Sequence, residues 1–331
     1  MKKRERLERA LAGDAVDRAP VVFWRHWPGD DQRVADLVWS TLTFQQLFDW
    51  DLVKVTPYSA GCVADYGAQS EWLGEISGDR TIVKFPVTRS LAWTELRALD
   101  PLRGESGKYV EALKLIGDGL RDAETPLVAT LYSPLTQAAL LSGEELLLGN
   151  IRTRVDRLRT ALNILTESTL RLIDALKRTE VAGIWYVLRH AGFALLAEEE
   201  YRAIGMPYDL KILGTLPPKW WLNILQLDCH QPMVELAATY PMPILNWDAA
   251  ETKPGLEEGR ALYQGVLCGG LSSEKHLHQG TPSLVRDVTR EVLQRLGTRR
   301  LILSAGKAIP VSAPLSNLRA VRAAVESIQT G

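Results

Sequence analysis

The chain has 331 residues, 46% hydrophobic and 24% charged, and a net charge of -1. That balance is ordinary for a globular protein with ample core, and it lacks the global positive field of a nucleic-acid binder. No apolar run follows the basic start at Met1–Arg6, which argues against a signal peptide. No stretch of about 18 uninterrupted apolar residues suggests a membrane span. Cys62, Cys229 and Cys268 are widely scattered, which predicts reduced thiols in a cytoplasm rather than a disulfide framework.

In chain order, Pro20–Trp24 (PVVFW) is the first short apolar run and Leu52–Thr56 (LVKVT) the second. Glu71–Ile76 and Thr81–Pro86, around Ser77-Gly78-Asp79, then read as a hairpin. Val110–Arg121 has helical spacing and precedes a third run, Leu127–Tyr132 (LVATLY). Gly143–Arg178 reads as two helices, followed by Ala182–Leu188 (AGIWYVL). A helix at Glu198–Leu213 precedes Leu222–Leu227 (LNILQL), and one at Met233–Tyr240 precedes Met242–Trp247 (MPILNW). Gly265–Cys268 (GVLC) is a weak seventh run. A helix at Ser283–Leu296, an eighth run at Leu301–Ser304 and a last helix at Asn317–Ile328 follow, with Ser316 or Asn317 as the last helix's cap.

Most runs are almost continuously apolar, as parallel strands covered on both faces require. Eight strand–helix units predict an α/β fold, a single (β/α)8 TIM barrel with a β-hairpin insertion after its second strand and one domain over residues 1–331. The competing open doubly wound sheet lacks a G-x-G-x-x-G after the first strand. No internal repeat, low-complexity tract or long linker interrupts the pattern.

Residues just after each barrel strand face the pocket. These are Arg25 and His26, Pro57 and Tyr58, Tyr132, Arg189 and His190, Asp228 with Cys229 and His230, Asp248 and Lys307. A P-loop around Gly306-Lys307 fails, because the pattern needs glycine where Leu301 stands and Ser or Thr where Ala308 stands. The fork of Arg25 suits a carboxylate or an acidic neighbour equally. Asp228 and Asp248 read as an acid–base pair, or as helix caps and partners of Lys307. Cys229 and His230 are adjacent on extended chain and point to opposite sides, so they do not share a metal ion. His276-x-His278 has a better phase but lies just before a surface helix.

The segment Arg18-Ala19-Pro20-Val21-Val22-Phe23-Trp24-Arg25 resembles the N-terminal signature of the uroporphyrinogen decarboxylases, whose superfamily includes the cobamide-dependent methyltransferases. Pro243-Ile244-Leu245-Asn246-Trp247-Asp248 resembles their sixth strand, with its Trp. Gln264–Leu271 resembles their seventh strand, and Gly280-Thr281-Pro282 the helix start after it. Ser304–Pro310 with Pro314 and Asn317-Leu318 resembles the last strand and helix. The likeness spans most of the chain. Gly306-Lys307-Ala308 departs from the decarboxylases' Gly-His-Gly, Pro57 falls near their catalytic aspartate, and Leu140 replaces a pocket tyrosine. The methyltransferases' zinc ligands, His-x-Cys and a later Cys, correspond to Gln226, Asp228 and Lys307, which supply no thiolate.

The resemblance implies cofactor-independent decarboxylation of a carboxylate-rich small molecule such as a tetrapyrrole. Asp228, Asp248, Lys307 and His190 are then the catalytic candidates. Arg25, His26, Tyr58, Tyr132, Arg189 and Trp247 are the substrate-binding candidates, and no metal is expected. A zinc-free methyl transfer involving a corrinoid protein partner, and a ligand-binding barrel without catalysis, are the alternatives. A homodimer is common in the resembled family, and neither nucleic acid nor membrane is expected as a partner.

Overall fold

The computed structural model describes residues 1–327. Seven parallel strands form one curved sheet: β1 Val53–Val55, β4 Leu127–Tyr132, β5 Val181–Leu188, β6 Ile224–Leu227, β7 Ile244–Trp247, β8 Val266–Leu271 and β9 Leu301–Ala305, adjacent in that order. Between β4 and β1 in sequence lies the antiparallel pair β2 Gln69–Glu71 and β3 Thr81–Lys84.

Extended segment Pro20–Trp24 fills the gap between β9 and β1. The Leu303 N–H donates to Pro20 O at 2.8 Å, the Val22 N–H to Leu303 O at 3.1 Å, and the Asp51 N–H to Val21 O at 2.9 Å. Only one ladder bridge forms there, Val21 to Leu303. Side chains complete the closure. The Asp51 carboxylate is wholly buried and accepts from Arg6 at 2.7 Å, from Arg18 at 2.7 and 3.0 Å and from the Val21 N–H at 2.8 Å. Arg18, the arginine of the N-terminal resemblance, thus fastens the first barrel segment. Seven strands with this extended eighth segment across the gap agree with the expected TIM barrel.

Alternate strand residues face opposite sides. Val22, Trp24, Leu52, Val128, Trp185, Ile224, Ile244, Val266 and Ile302 fill the barrel interior, together with Leu7 from the helix Lys3–Ala12. Their neighbours Val21, Phe23, Val53, Ala129, Ile184, Leu225, Leu245, Leu267 and Leu301 pack outward under the helices. Burial on both faces explains the near-continuous apolar runs.

Several helices carried no clear periodic signal. Pro134–Ser142 is capped by the Ser133 hydroxyl, which accepts from the Thr136 N–H, but almost all its residues are buried, so it has no polar face to mark its period. Val34–Phe48 exposes Trp39 and Leu47 on its outer side, which blurs the same signal. The structure also adds the helices Lys3–Ala12 and Leu256–Leu262. The expected helix Glu198–Leu213 is broken at Gly205 into Glu198–Ile204 and Met206–Leu213. Asn317 is not a cap: it lies inside the helix Leu315–Ser327, buried, and donates to Leu277 O at 3.1 Å and Gly280 O at 2.8 Å.

The hairpin is present, but its first arm is shorter and earlier than expected, and residues 72–80 form a long connecting loop. That loop lies against the first barrel segment. A Cβ on Gly78, whose φ is +82°, would fall 2.6 Å from the Cβ of His26. Only glycine combines this left-handed conformation with so close an approach.

Candidate active site

A cavity of about 350 Å³ opens at the C-terminal ends of the strands, where barrel active sites lie. Its wall is built by the inward-facing register. Trp24, His26, Lys54, Thr56, Tyr132, Arg189, Gln226 and Asp228 all line it, and the hairpin loop adds Glu75, Ile76, Ser77 and Asp79. Lys307 completes it from the turn after β9.

Arg189 is the central cation. Its Nε donates to Asp228 Oδ2 at 2.9 Å and its Nη2 to Asp79 Oδ1 at 3.3 Å, while the guanidinium stands 5.4 Å from the Tyr132 ring centroid. Burial opposes its charge, but Asp228, Tyr132 and Asp79 outweigh this and raise its pKa. Asp79 also approaches His26, Oδ1 to Nε2 at 3.5 Å. Burial disfavours ionised Asp79, yet His26 and Arg189 hold its pKa below the usual value. Burial lowers the pKa of His26 and favours its neutral ring, whose Nδ1 is enclosed without a hydrogen-bond partner among the described residues.

Lys307 Nζ lies 3.2 Å from Asp248 Oδ2. Burial raises the Asp248 pKa against the pull of that lysine. A Cβ on Gly306 would fall 2.1 Å from the Asp248 Cα, so glycine lets this turn cross tightly and deliver Lys307 to the mouth.

The strongest departure from expectation is Lys54. It sits in the middle of β1, 7% exposed, with Nζ 3.0 Å from Gln226 Oε1. Nζ also lies 4.0 Å from the Trp24 ring centroid and 4.6 Å from that of Trp185. Burial pushes its pKa well below the ordinary lysine value. The signal was a lysine inside the run Leu52–Thr56, in phase with inward-facing Leu52. Asp79 was equally missed as a site residue, because it arrives from the hairpin and not from a strand end.

Of the expected site residues, His26, Tyr132, Arg189, Asp228 and Lys307 meet in the mouth, and Asp248 joins them through Lys307. Four others lie elsewhere. Arg25 stacks on Trp27, 4.8 Å to the ring centroid, and donates to Val311 O at 2.6 Å. His190 turns outward to Glu144, Nε2 to Oε1 at 3.0 Å. Trp247 is buried on the outer face and donates to Pro254 O at 2.7 Å. Tyr58 lines a separate cavity of about 70 Å³ between the barrel and the helix Gly104–Leu120. For Arg25, His190 and Trp247 the reason is strand alternation: each directly adjoins an inward-facing residue.

The zinc-ligand positions of the resembled methyltransferases do not suit a zinc ion. Gln226 is committed to Lys54, to the Trp185 Nε1 at 2.6 Å and to Gly306 O at 2.9 Å, and Asp228 is held by Arg189. His276 accepts from the Ser272 N–H at 3.0 Å, and His278 meets the Ser312 hydroxyl at 3.0 Å, so each has its own partner. Among the described residues no three His, Cys, Asp or Glu side chains are grouped to hold a metal.

Solved structures that share the fold include the following three. A methyltransferase from Methanosarcina mazei superposes with a TM-score of 0.85 at 19% identity, covering 99% of both chains. A B12-independent methionine synthase from a Shewanella species gives 0.57 at 14% identity, covering 95% of each chain. A putative vitamin-B12 independent methionine synthase from Listeria monocytogenes gives 0.56 at 9% identity, covering 94% of this chain and 97% of that one. No curated protein matches the sequence significantly. Residues 73–328 match the family model described as Uroporphyrinogen decarboxylase (URO-D). With that match over most of its length, and with the barrel its sequence predicted, the chain belongs to the uroporphyrinogen decarboxylase family.

Proposed function

We propose that the protein is a cofactor-independent carbon–carbon lyase that decarboxylates a small carboxylate substrate in the barrel mouth. The observation that carries this reading is the meeting of Arg189 and Lys307 with the His26–Asp79 pair in one cavity. The two cations suit carboxylates. Breaking a carbon–CO2 bond leaves an electron pair on carbon, which must then take a proton, and a buried imidazole near a carboxylate suits that transfer. Asp79 supplies an ionised carboxylate to a mouth whose Pro57 stands near the decarboxylases' aspartate. The cavity, about 350 Å³, lies at the small end of the roughly 300–1,000 Å³ range of ligand pockets, which favours a small acid over a whole tetrapyrrole.

A zinc-free methyl transfer with a corrinoid-bearing partner is the second reading. It is favoured by the apolar side chains that the hairpin exposes beside the mouth, Trp72, Leu73, Ile76 and Val83, which suit a docking protein. Anaerobic incubation with uroporphyrinogen and with small keto and dicarboxylic acids, followed by CO2 release and product chromatography, tests the first reading. Loss of carboxyl groups is expected. Tight binding without turnover of any acid overturns it in favour of a ligand-binding barrel, and methyl transfer only with a corrinoid protein favours the second reading.

A further inference from the structure

A decarboxylation without a cofactor needs somewhere to place the electron pair of the broken bond. We infer that Lys54 provides it, as a nucleophilic amine that forms an imine with the ketone of a β-keto carboxylate bound in the barrel mouth. This rests on the decarboxylase reading above and specifies its substrate class.

Lys54 is buried, yet no carboxylate lies within salt-bridge distance of it among the described residues, whereas Lys307 in the same mouth has Asp248. A buried ammonium kept for structure is as a rule paired with a carboxylate. Among the described residues its one conventional acceptor is Gln226 Oε1. The orientation of that amide is fixed, because Trp185 Nε1 donates to the same oxygen and Gln226 Nε2 donates to Gly306 O. Lys54 therefore donates to Gln226, and a neutral amine keeps its lone pair for the cavity that it lines. Desolvation favours that neutral form, the condition under which a lysine is nucleophilic. The walls of Trp24 and Trp185 exclude water and present π faces to a flat cation.

The amine adds to the ketone carbon, and loss of water with one proton gained gives a protonated imine. The carbon–CO2 bond then breaks, and its electrons move through the new carbon–carbon double bond to neutralise the imine nitrogen. CO2 leaves and an enamine remains. A proton taken up from solvent through the open mouth and relayed by the neutral His26 ring beside the Asp79 carboxylate is delivered to carbon and regenerates the imine, and water then releases the shortened ketone and the free amine.

The test is reductive trapping of the intact protein with acetoacetate or oxaloacetate and sodium borohydride, followed by peptide mapping. We expect a reduced adduct on Lys54. With acetoacetate, an isopropylamine is expected wherever CO2 left before reduction. Lys54→Arg, checked by circular dichroism for folding, is expected to lose both adduct and CO2 release. The wild-type map decides without relying on that variant. CO2 release with no Lys54 adduct overturns the imine and leaves the decarboxylase reading standing. A Lys54 adduct without CO2 from either acid supports the amine's role and overturns decarboxylation of these substrates. Labelling confined to Lys307 or surface lysines, or no labelling with either acid, overturns the inference.

Discussion

The Asp79 carboxylate lies 3.3 Å from the Arg189 guanidinium although 110 positions separate the two in the chain. This contact, with the 3.5 Å approach of the same carboxylate to His26, ties the hairpin loop over the barrel mouth. Both partners are partly exposed, 37% for Asp79 and 25% for Arg189, so the tie stabilises the fold by at most about 1 kcal/mol.

Replacing Asp79 separates latch from chemistry. Asp79→Asn should leave the melting temperature nearly unchanged and lower kcat for CO2 release about 100-fold, the usual scale for losing an acid–base partner. A rise in KM with kcat intact would show that Asp79 only positions the loop.

Lys307 and Asp248 offer a stability test with a defined sign. In Lys307→Met the Asp248 carboxylate, 5% exposed, loses its counter-ion. Lys307 is 41% exposed, so water replaces it in part, and the cost should be about 1–2 kcal/mol at neutral pH rather than that of a sealed pair. The Asp248 pKa is already raised by burial and should rise further. A raised acid binds its proton more readily when folded, so the deficit should shrink as pH falls. Adding Asp248→Asn should restore stability in denaturant titrations.

Trp247 separates a packing role from a binding role. Its ring is fully buried under the helix Leu256–Leu262, where a Cβ on Gly259 would lie 2.4 Å from it. Trp247→Phe removes ring volume and the hydrogen bond to Pro254 and should destabilise by about 1–3 kcal/mol. Ligand affinity measured by calorimetry should not change.

Asp209 predicts a stability change in mild acid. Its carboxylate accepts from Tyr186 at 2.8 Å, Tyr201 at 2.7 Å and Tyr240 at 2.9 Å, but burial outweighs these bonds and raises its pKa to about 6. The folded state thus holds a proton that the unfolded chain releases near pH 4. Stability from this group is present below that pH and is lost as pH rises to about 6, by roughly 3 kcal/mol at about 1.4 kcal/mol per unit. Asp209→Asn should flatten the urea-unfolding midpoint across that window.

The sequence by itself determined the barrel. Apolar runs such as Leu127–Tyr132 and Val181–Leu188 match strands because two-sided burial leaves almost no polar residue in them. It also pointed to the residues just after those runs, and Tyr132, Arg189, Asp228 and Lys307 line one cavity. Tertiary structure decided which face each residue takes. Arg25, His190 and Trp247 stand one position from an inward-facing neighbour, and a strand reverses its side chains at every step. Tertiary structure also decided that Lys54 has aromatic walls and, among the described residues, no carboxylate within salt-bridge distance, since Trp24, Trp185 and Gln226 come from three different parts of the chain. Asp79 reaches Arg189 only because a loop folds back over the closed barrel, and local propensity cannot encode a distance between residues so far apart in sequence.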